Sequence, residues 1–258
     1  MYKLIFMDLD GTLLRGDKTV SAYTLSVIEK CRALGVLIGI STARGESNAL
    51  TFLSALHPDV VISCSGALIT YKGEPIYTKG FSAEETALLI RTAQELTHGE
   101  CEIAVDTLEK YYWNYKVPPR EVDASWGEAI YTNYADFCEP SLKICVELPD
   151  EALAREIAER VGGCDCTRFS GDNWYKFTPN GVTKGSAVRE VAARLAIPEK
   201  EMLAFGDDFV DMEMLQICGR GVAMGNAVSV VKACADDVAE SNDNDGVARY
   251  LEALFLKE

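Results

Sequence analysis

Two carboxylates separated by one residue, Asp8 and Asp10, follow directly on the short apolar run Lys3-Leu4-Ile5-Phe6-Met7. A run of that length reads as a buried strand, and residues two apart in an extended chain point to the same side. Both carboxylates therefore emerge at the strand's C-terminal end, where ligands bind in open parallel sheets. Like charges this close repel, so the arrangement is costly unless a cation shares them. Gly11 lets the backbone turn away without a Cβ clash. The plain alternative is a solvated strand-end turn, because Asp and Gly are ordinary turn residues.

Three later stretches supply what a phosphoryl-transfer site needs, in order. Ser41-Thr42-Ala43-Arg44 follows a second apolar strand and brings the Thr42 hydroxyl to the same sheet edge, although in isolation it would be a helix N-cap. Lys184, within Gly181-Val182-Thr183-Lys184-Gly185, is a compact cation at the start of a helix, where its charge opposes the helix dipole. A lysine alone would be a solvated surface residue; its place in the series gives it meaning. Gly206-Asp207-Asp208-Phe209-Val210-Asp211 follows a third apolar strand and delivers more carboxylates, which could also serve as caps.

The elements that must position these residues fall into two styles. In the first third, Ser21 caps a helix carrying Leu25, Ile28, Cys31 and Leu34, which Gly35 ends. Val36–Ile40 is the next strand, residues 46–55 another helix, and Val60–Ile62 a third strand. The last third repeats the alternation: a helix from Lys184, a strand over Met202–Phe205, a helix over Asp211–Ile217 and a strand over Gly221–Met224. Helices with Val228 and Val231, then with Val247, Leu251 and Leu254, close the chain. Alternation of this kind predicts a parallel sheet with covering helices. The middle differs. Ser82 and Glu85 form a capping box, and Cys101–Val105, Tyr111–Tyr115, Leu142–Leu148 and Thr167–Thr178 read as strands, with a helix through Leu153, Ile157 and Val161. The fold class is α/β: a Rossmann-like, doubly wound parallel-sheet core from residues 1–81 and 183–258, with an α+β cap inserted over 82–182.

Together the four stretches resemble the signature motifs of the haloacid dehalogenase (HAD) superfamily, and the large insert between the second and third resembles the Cof-type subfamily of sugar- and metabolite-phosphate phosphatases. Gly221–Ala227 and Asn242–Ala248 also look like stretches that recur there. The resemblance implies that Asp8 is the nucleophile and forms an aspartyl-phosphate. It makes Asp10 the general acid that protonates the leaving alkoxide and then the base that activates water. Thr42 donates to a transferring phosphoryl oxygen, and Lys184 offsets charge on nucleophile and phosphate. Asp207 ligates Mg²⁺ with the Asp8 carboxylate and the Asp10 backbone carbonyl, while Asp211 orients water or Lys184. Arg44 and Gly11 are candidate phosphate or substrate contacts. A hard cation with oxygen ligands suits Mg²⁺, and phosphoryl transfer is mostly positioning and charge stabilisation. The chain departs from the subfamily pattern at Ala43, at Ser65 (within Ser65-Gly66-Ala67) and at Val210; none of these is an assigned catalytic residue. A phosphotransferase or phosphomutase of the same superfamily is the nearest alternative. A phospho-receiver module is a poor match, because its phospho-acceptor follows the third strand, which here ends in Val60-Val61-Ile62-Ser63-Cys64 without an Asp.

Composition narrows the partners. With 25 basic against 40 acidic side chains, the net charge of -15 disfavours nucleic acid and anionic membranes. A small phosphate ester remains compatible if a metal and a few donors reverse the local field. The N-terminal apolar run is too short for a signal peptide, and no stretch reaches the ~18 apolar residues that span a bilayer. Nine irregularly spaced cysteines argue against a disulfide scaffold. The expectation is a cytoplasmic monomer acting on a small-molecule phosphate ester.

Overall fold

The computed structural model describes residues 2–122 and 126–256. They form two compact units: Met1–Ala43, Leu53–Tyr77 and Thr183–Glu258 in the first, Arg44–Phe52 and Thr78–Val182 in the second.

Along the chain come β1 (Leu4–Met7), α1 (Ala22–Ala33), β2 (Leu37–Ser41), α2 (Glu46–Leu56), β3 (Val60–Ser63), β4 (Leu68–Tyr71) and β5 (Glu74–Thr78). The second unit adds α3 (Ala83–Leu96), β6 (Ile103–Asp106), β7 (Tyr111–Trp113), β8 (Ile130–Tyr131), β9 (Lys143–Glu147), α4 (Glu151–Val161), β10 (Cys164–Arg168) and β11 (Trp174–Pro179). The first unit resumes with α5 (Lys184–Leu195), β12 (Met202–Gly206), α6 (Met212–Ile217), β13 (Arg220–Ala223), α7 (Ser229–Cys234), β14 (Asp237–Val238) and α8 (Gly246–Leu251).

The first sheet has the order β14-β13-β12-β1-β2-β3-β4-β5. It is parallel from β14 to β3 and turns antiparallel at β4. Strand β1 lies between β2 and β12, with Met7 opposite Ile40 on one side and Phe205 on the other. Its residues Leu4, Ile5, Phe6 and Met7 are all fully buried, as a central strand covered on both faces requires. The β4–β5 hairpin has no counterpart in the sequence reading. It turns on Lys72 and Gly73, both at positive φ (51° and 85°), the two-residue geometry that suits strand twist.

The second sheet has the order β10-β11-β9-β6-β7-β8. Its alternation divides the residues sharply. Ile103, Val105, Tyr112, Ile144, Val146, Tyr175 and Phe177 join Leu89, Ile90 and Ala93 of α3 and Ala154 and Ile157 of α4 in one apolar core. The Ser82–Glu85 capping box that opens α3 is present. The continuous strand expected over Thr167–Thr178 is instead the β10–β11 hairpin. Gly171 at φ 85° and the Asp172 side chain, which accepts from Trp174 N–H at 2.9 Å, make the turn that breaks it.

Candidate active site

Asp8 follows β1 and is 6% exposed. Its N–H donates to the Phe205 carbonyl at 3.1 Å, extending the β1–β12 pairing by one step. The pleat then stops, because Leu13 and Leu14 N–H fold back onto the Leu9 carbonyl at 3.1 and 2.8 Å. The alternation argument for Asp10 therefore ends at the strand's last residue. The Asp10 carboxylate is partly exposed and pairs with Lys18 Nζ at 2.7 Å.

Lys184 begins α5 behind the Thr183 cap. It is 1% exposed, and its Nζ donates to Asp8 Oδ1 and to Asp211 Oδ1, both at 2.6 Å. These charge-assisted bonds outweigh the unfavourable dipole at a helix start. Gly66 makes room for this approach: a Cβ on it would lie 2.2 Å from the Thr183 carbonyl, and its φ is 111°.

The fourth stretch separates into three roles. Asp211 is fully buried, and its Oδ2 accepts from the Asp207 and Asp208 N–H groups at 3.0 and 3.1 Å. Asp207 Oδ1 accepts from the Thr12 hydroxyl at 2.8 Å, and its carboxylate lies against Gly11, where a Cβ would come within 2.3 Å of Oδ2. Asp208 takes the capping role, accepting from Phe209 N–H at 2.7 Å. Among the described residues, the carboxylate group able to hold a metal is Asp8, Asp207 and Asp211, whose ligand atoms lie within 4.8 Å of one another. Both Asp211 oxygens already accept hydrogen bonds, so Asp8 and Asp207 are the better placed ligands.

Electrostatics follow from three carboxylates around one ammonium. Burial raises the Asp8 carboxyl well above the usual range; Lys184 opposes this, and Asp211 and Asp207 add to it. Asp207 is pushed up to about 7 by burial and then by Asp211, against the Thr12 hydroxyl and Lys184. Burial works against the Lys184 charge, but Asp211 and Asp8 outweigh it and hold the ammonium more firmly protonated than usual. The cluster thus carries more acid than one lysine neutralises. A hard divalent cation would relieve that excess and return the carboxylates to their ionised forms.

Thr42 is 1% exposed at the end of β2, with its N–H on the Ile62 carbonyl at 2.8 Å and its carbonyl accepting from Ser65 N–H at 3.1 Å. Cys64 and Ser65 both have positive φ (49° and 58°). The buried hydroxyls of Ser41, Ser63 and Ser65 have no hydrogen-bond partner among the described residues. Strain and unsatisfied polar atoms together at strand ends mark a place built for something other than stability. Arg44 groups with the second unit and is 1% exposed. Its guanidinium lies over Trp126 at 4.2 Å and Phe52 at 5.3 Å, a stacked arrangement that its planar charge favours.

Thr12 and Lys18 were missed as site residues from sequence. Thr12 stood inside the Asp-x-Asp-Gly-Thr stretch, but its hydroxyl meets a residue 195 positions away; Lys18 lies in a loop with no periodic signal.

A family model described as haloacid dehalogenase-like hydrolase matches residues 5–251. The chain belongs to this family. Similar curated proteins include a putative phosphatase of Haemophilus influenzae, 30% identical over 99% of both chains. The 5-amino-6-(5-phospho-D-ribitylamino)uracil phosphatase YitU of Bacillus subtilis is 26% identical over 98% of this chain and 97% of its own. An HMP-PP phosphatase of Serratia proteamaculans is 28% identical over 98% and 95%. Among solved structures, the HAD subclass IIB sugar phosphatase BT4131 superposes with TM-score 0.86 over 98% of each chain at 23% identity, a likeness of fold. This HAD-like hydrolase is a phosphoric monoester hydrolase, and its α/β fold is that of the subclass IIB structures. Among the described residues, no helix is long and apolar enough to cross a membrane.

Proposed function

We propose that this hydrolase is a Mg²⁺-dependent phosphatase of small phosphorylated metabolites, sugar phosphates foremost, acting through a covalent aspartyl-phosphate on Asp8. The observation that carries the reading is the buried ammonium of Lys184 held at 2.6 Å by both Asp8 and Asp211, beside Asp207.

Asp8 and Asp207 present hard oxygen donors in a cluster with surplus negative charge, which fits Mg²⁺; the Asp10 backbone carbonyl is the third ligand in this reading. When bound, the ion neutralises phosphate charge and keeps the nucleophile ionised. With Lys184 on Oδ1, the other Asp8 oxygen attacks phosphorus, and the ester oxygen departs with a proton from Asp10. Asp10 then takes a proton from water, which attacks the phosphorus of the acyl phosphate, releases inorganic phosphate and restores Asp8. Thr42 donates to a phosphoryl oxygen, and Asp211 keeps Lys184 in place. Arg44 serves the substrate side.

Residues 82–182 act in this reading as the cap that selects the ester. On the sheet face opposite α3 and α4, Trp113 meets Trp174 edge-on at 6.0 Å and Tyr115 at 5.9 Å, and Tyr115 meets Tyr131 at 5.0 Å. A concavity of about 570 Å³, lined by Tyr111, Tyr115, Pro119 and Ile130 among others, is of metabolite size. Relatives whose names specify a sugar phosphatase, a ribitylaminouracil-phosphate phosphatase and an HMP-PP phosphatase support this substrate range. The protein works as a cytoplasmic monomer.

The test is a phosphate-release screen over metabolite esters, with Mg²⁺ and with chelator. Turnover should require the metal, Asp8→Asn should abolish it, and Asp10→Asn should slow alkyl esters by roughly 10²–10⁴-fold. Full activity of Asp8→Asn, or in excess chelator, would defeat the mechanism. A phosphoryl group recovered on a sugar hydroxyl in place of free phosphate would make the protein a phosphotransferase.

A further inference from the structure

Two stretches singled out in the sequence, Gly221–Ala227 and Asn242–Ala248, have no part in the chemistry above. Yet they are stitched to the loop that carries Asp10. Asn226 Nδ2 donates to the Gly11 carbonyl at 2.7 Å, and Asn226 Oδ1 accepts from Asn242 N–H at 3.0 Å. Asn242 Nδ2 donates to the Leu14 carbonyl at 2.8 Å, and Asp243 Oδ1 accepts from Gly16 N–H at 2.8 Å. Asp245 holds the far end, accepting from Arg15 Nη2 and Ser21 Oγ, both at 2.7 Å. The seam therefore fastens positions 11, 14, 15, 16 and 21 in turn.

The orientation of the Asn226 amide is forced. The Gly11 carbonyl can only accept and the Asn242 N–H can only donate, so the two ends of the amide cannot be exchanged. Gly11 itself is the weak point of the loop. At φ 78° it occupies a region that glycine leaves as easily as it enters. A Cβ on it would lie 2.3 Å from Asp207 Oδ2, and the next residue, Thr12, donates to Asp207 Oδ1. A shift of the Gly11 peptide would therefore move Asp10 on one side and the Asp207 carboxylate on the other.

We propose that Asn226, backed by Asn242, is a positioning residue of the phosphatase reaction: it fixes the Gly11 peptide and thereby the placement of both Asp10 and Asp207. The inference rests on the metal-dependent phosphatase reading. Asn226 is exposed, so the variant lacking its side chain should still fold, and the effect is read in chemistry and metal binding.

The experiment compares wild type, Asn226→Ala, Asn226→Asp and Asn242→Ala with Mg²⁺ on hexose 6-phosphate and p-nitrophenyl phosphate. Mg²⁺ binding without substrate is measured by calorimetry, and melting temperature is recorded alongside. Misplaced catalytic groups cost up to about 10²-fold, so kcat on the hexose ester should fall at least ~10-fold in Asn226→Ala. The aryl ester, whose leaving group needs little protonation, should lose less, KM should stay within about threefold, and Mg²⁺ should bind more weakly. Asn226→Asp keeps the acceptor for Asn242 but not the donor for Gly11, and should match Asn226→Ala. Asn242→Ala should show the same pattern in smaller degree. Wild-type kinetics in Asn226→Ala or Asn226→Asp would overturn the proposal. So would equal losses on both esters with unchanged Mg²⁺ binding. Wild-type protein that neither takes up Mg²⁺ nor releases phosphate would overturn the phosphatase reading together with it.

Discussion

Replacing Asp207 by asparagine should make the metal-free protein more stable while removing its activity. In the folded chain the Asp207 carboxyl is raised to about 7, first by burial and then by Asp211. Unfolded, it titrates near the ordinary carboxylate value of about 4. Between these two values the unfolded state is ionised and the folded state still holds its proton. Stability therefore declines as pH rises from about 4 to about 7, and stays low above that. Three pH decades at ~1.4 kcal/mol each give a cost of about 4 kcal/mol at pH 8, an upper figure since neighbouring acids titrate with it. Asparagine keeps an oxygen for the Thr12 hydroxyl, which donates to Asp207 Oδ1 at 2.8 Å, and removes the charge that pushes Asp8 up. In chelator at pH 8, Asp207→Asn should melt above wild type by up to roughly 8–16 °C, at ~2–4 °C per kcal/mol for a chain of this size. The gap should close below about pH 4. Mg²⁺ at about 1,000 times its Kd should cancel the gap, since it adds about 4.1 kcal/mol to the protein that binds it. Calorimetric or fluorescence melts at several pH values, with and without Mg²⁺, read all three effects. A variant that melts at or below wild type at pH 8 without metal, or a gap that does not change with pH, would refute the electrostatic account.

Three other substitutions probe separate supports. In Asp211→Asn, one end of the amide must present N–H either to the Lys184 ammonium or to the Asp207 and Asp208 N–H groups; urea denaturation should show a loss of ~2–4 kcal/mol. Gly66→Ala sets a Cβ at 2.2 Å from the Thr183 carbonyl with φ 111°, so the backbone beside Lys184 must move; kcat should fall roughly 10-fold or more with a lower melting temperature. Near-normal kcat and melting would show that α5 yields freely there. In the second unit, Lys143 pairs with Asp106 at 2.9 Å, the two side chains 6% and 3% exposed. Lys143→Met should cost ~3–5 kcal/mol by leaving a buried carboxylate, and adding Asp106→Leu should recover most of it. Chemical denaturation of the single and double variants decides the matter.

The residues of the candidate site could be singled out in the sequence because each stands out within a turn or a strand. Apolar runs ending in acids, hydroxyls or a capped lysine need only neighbours a few positions away to be recognised. The capping box of α3 and the apolar stripe of α4 were readable for the same reason. The strand pattern extends too far over Phe169–Asn173 and misses the hairpin at Lys72-Gly73, although Gly171 with Asp172, and Gly73, are turn residues that end strands. The placement of Arg44–Phe52 with the second unit is a tertiary matter. What the residues meet was decided by the sheet. Lys184 reaches Asp8 across 176 positions because the start of α5 lies against Gly66, after β3, and bonds Asp211, after β12, in a sheet whose order β12-β1-β2-β3 brings those strand ends to one rim. The Asn226–Gly11 bond spans 215 positions and depends on two irregular loops lying in register. Side-chain type and spacing fix which chemistry a chain can perform; only the order of strands fixes which donors and charges come within 3 Å of one another, and it is there that pKa values and positioning are set.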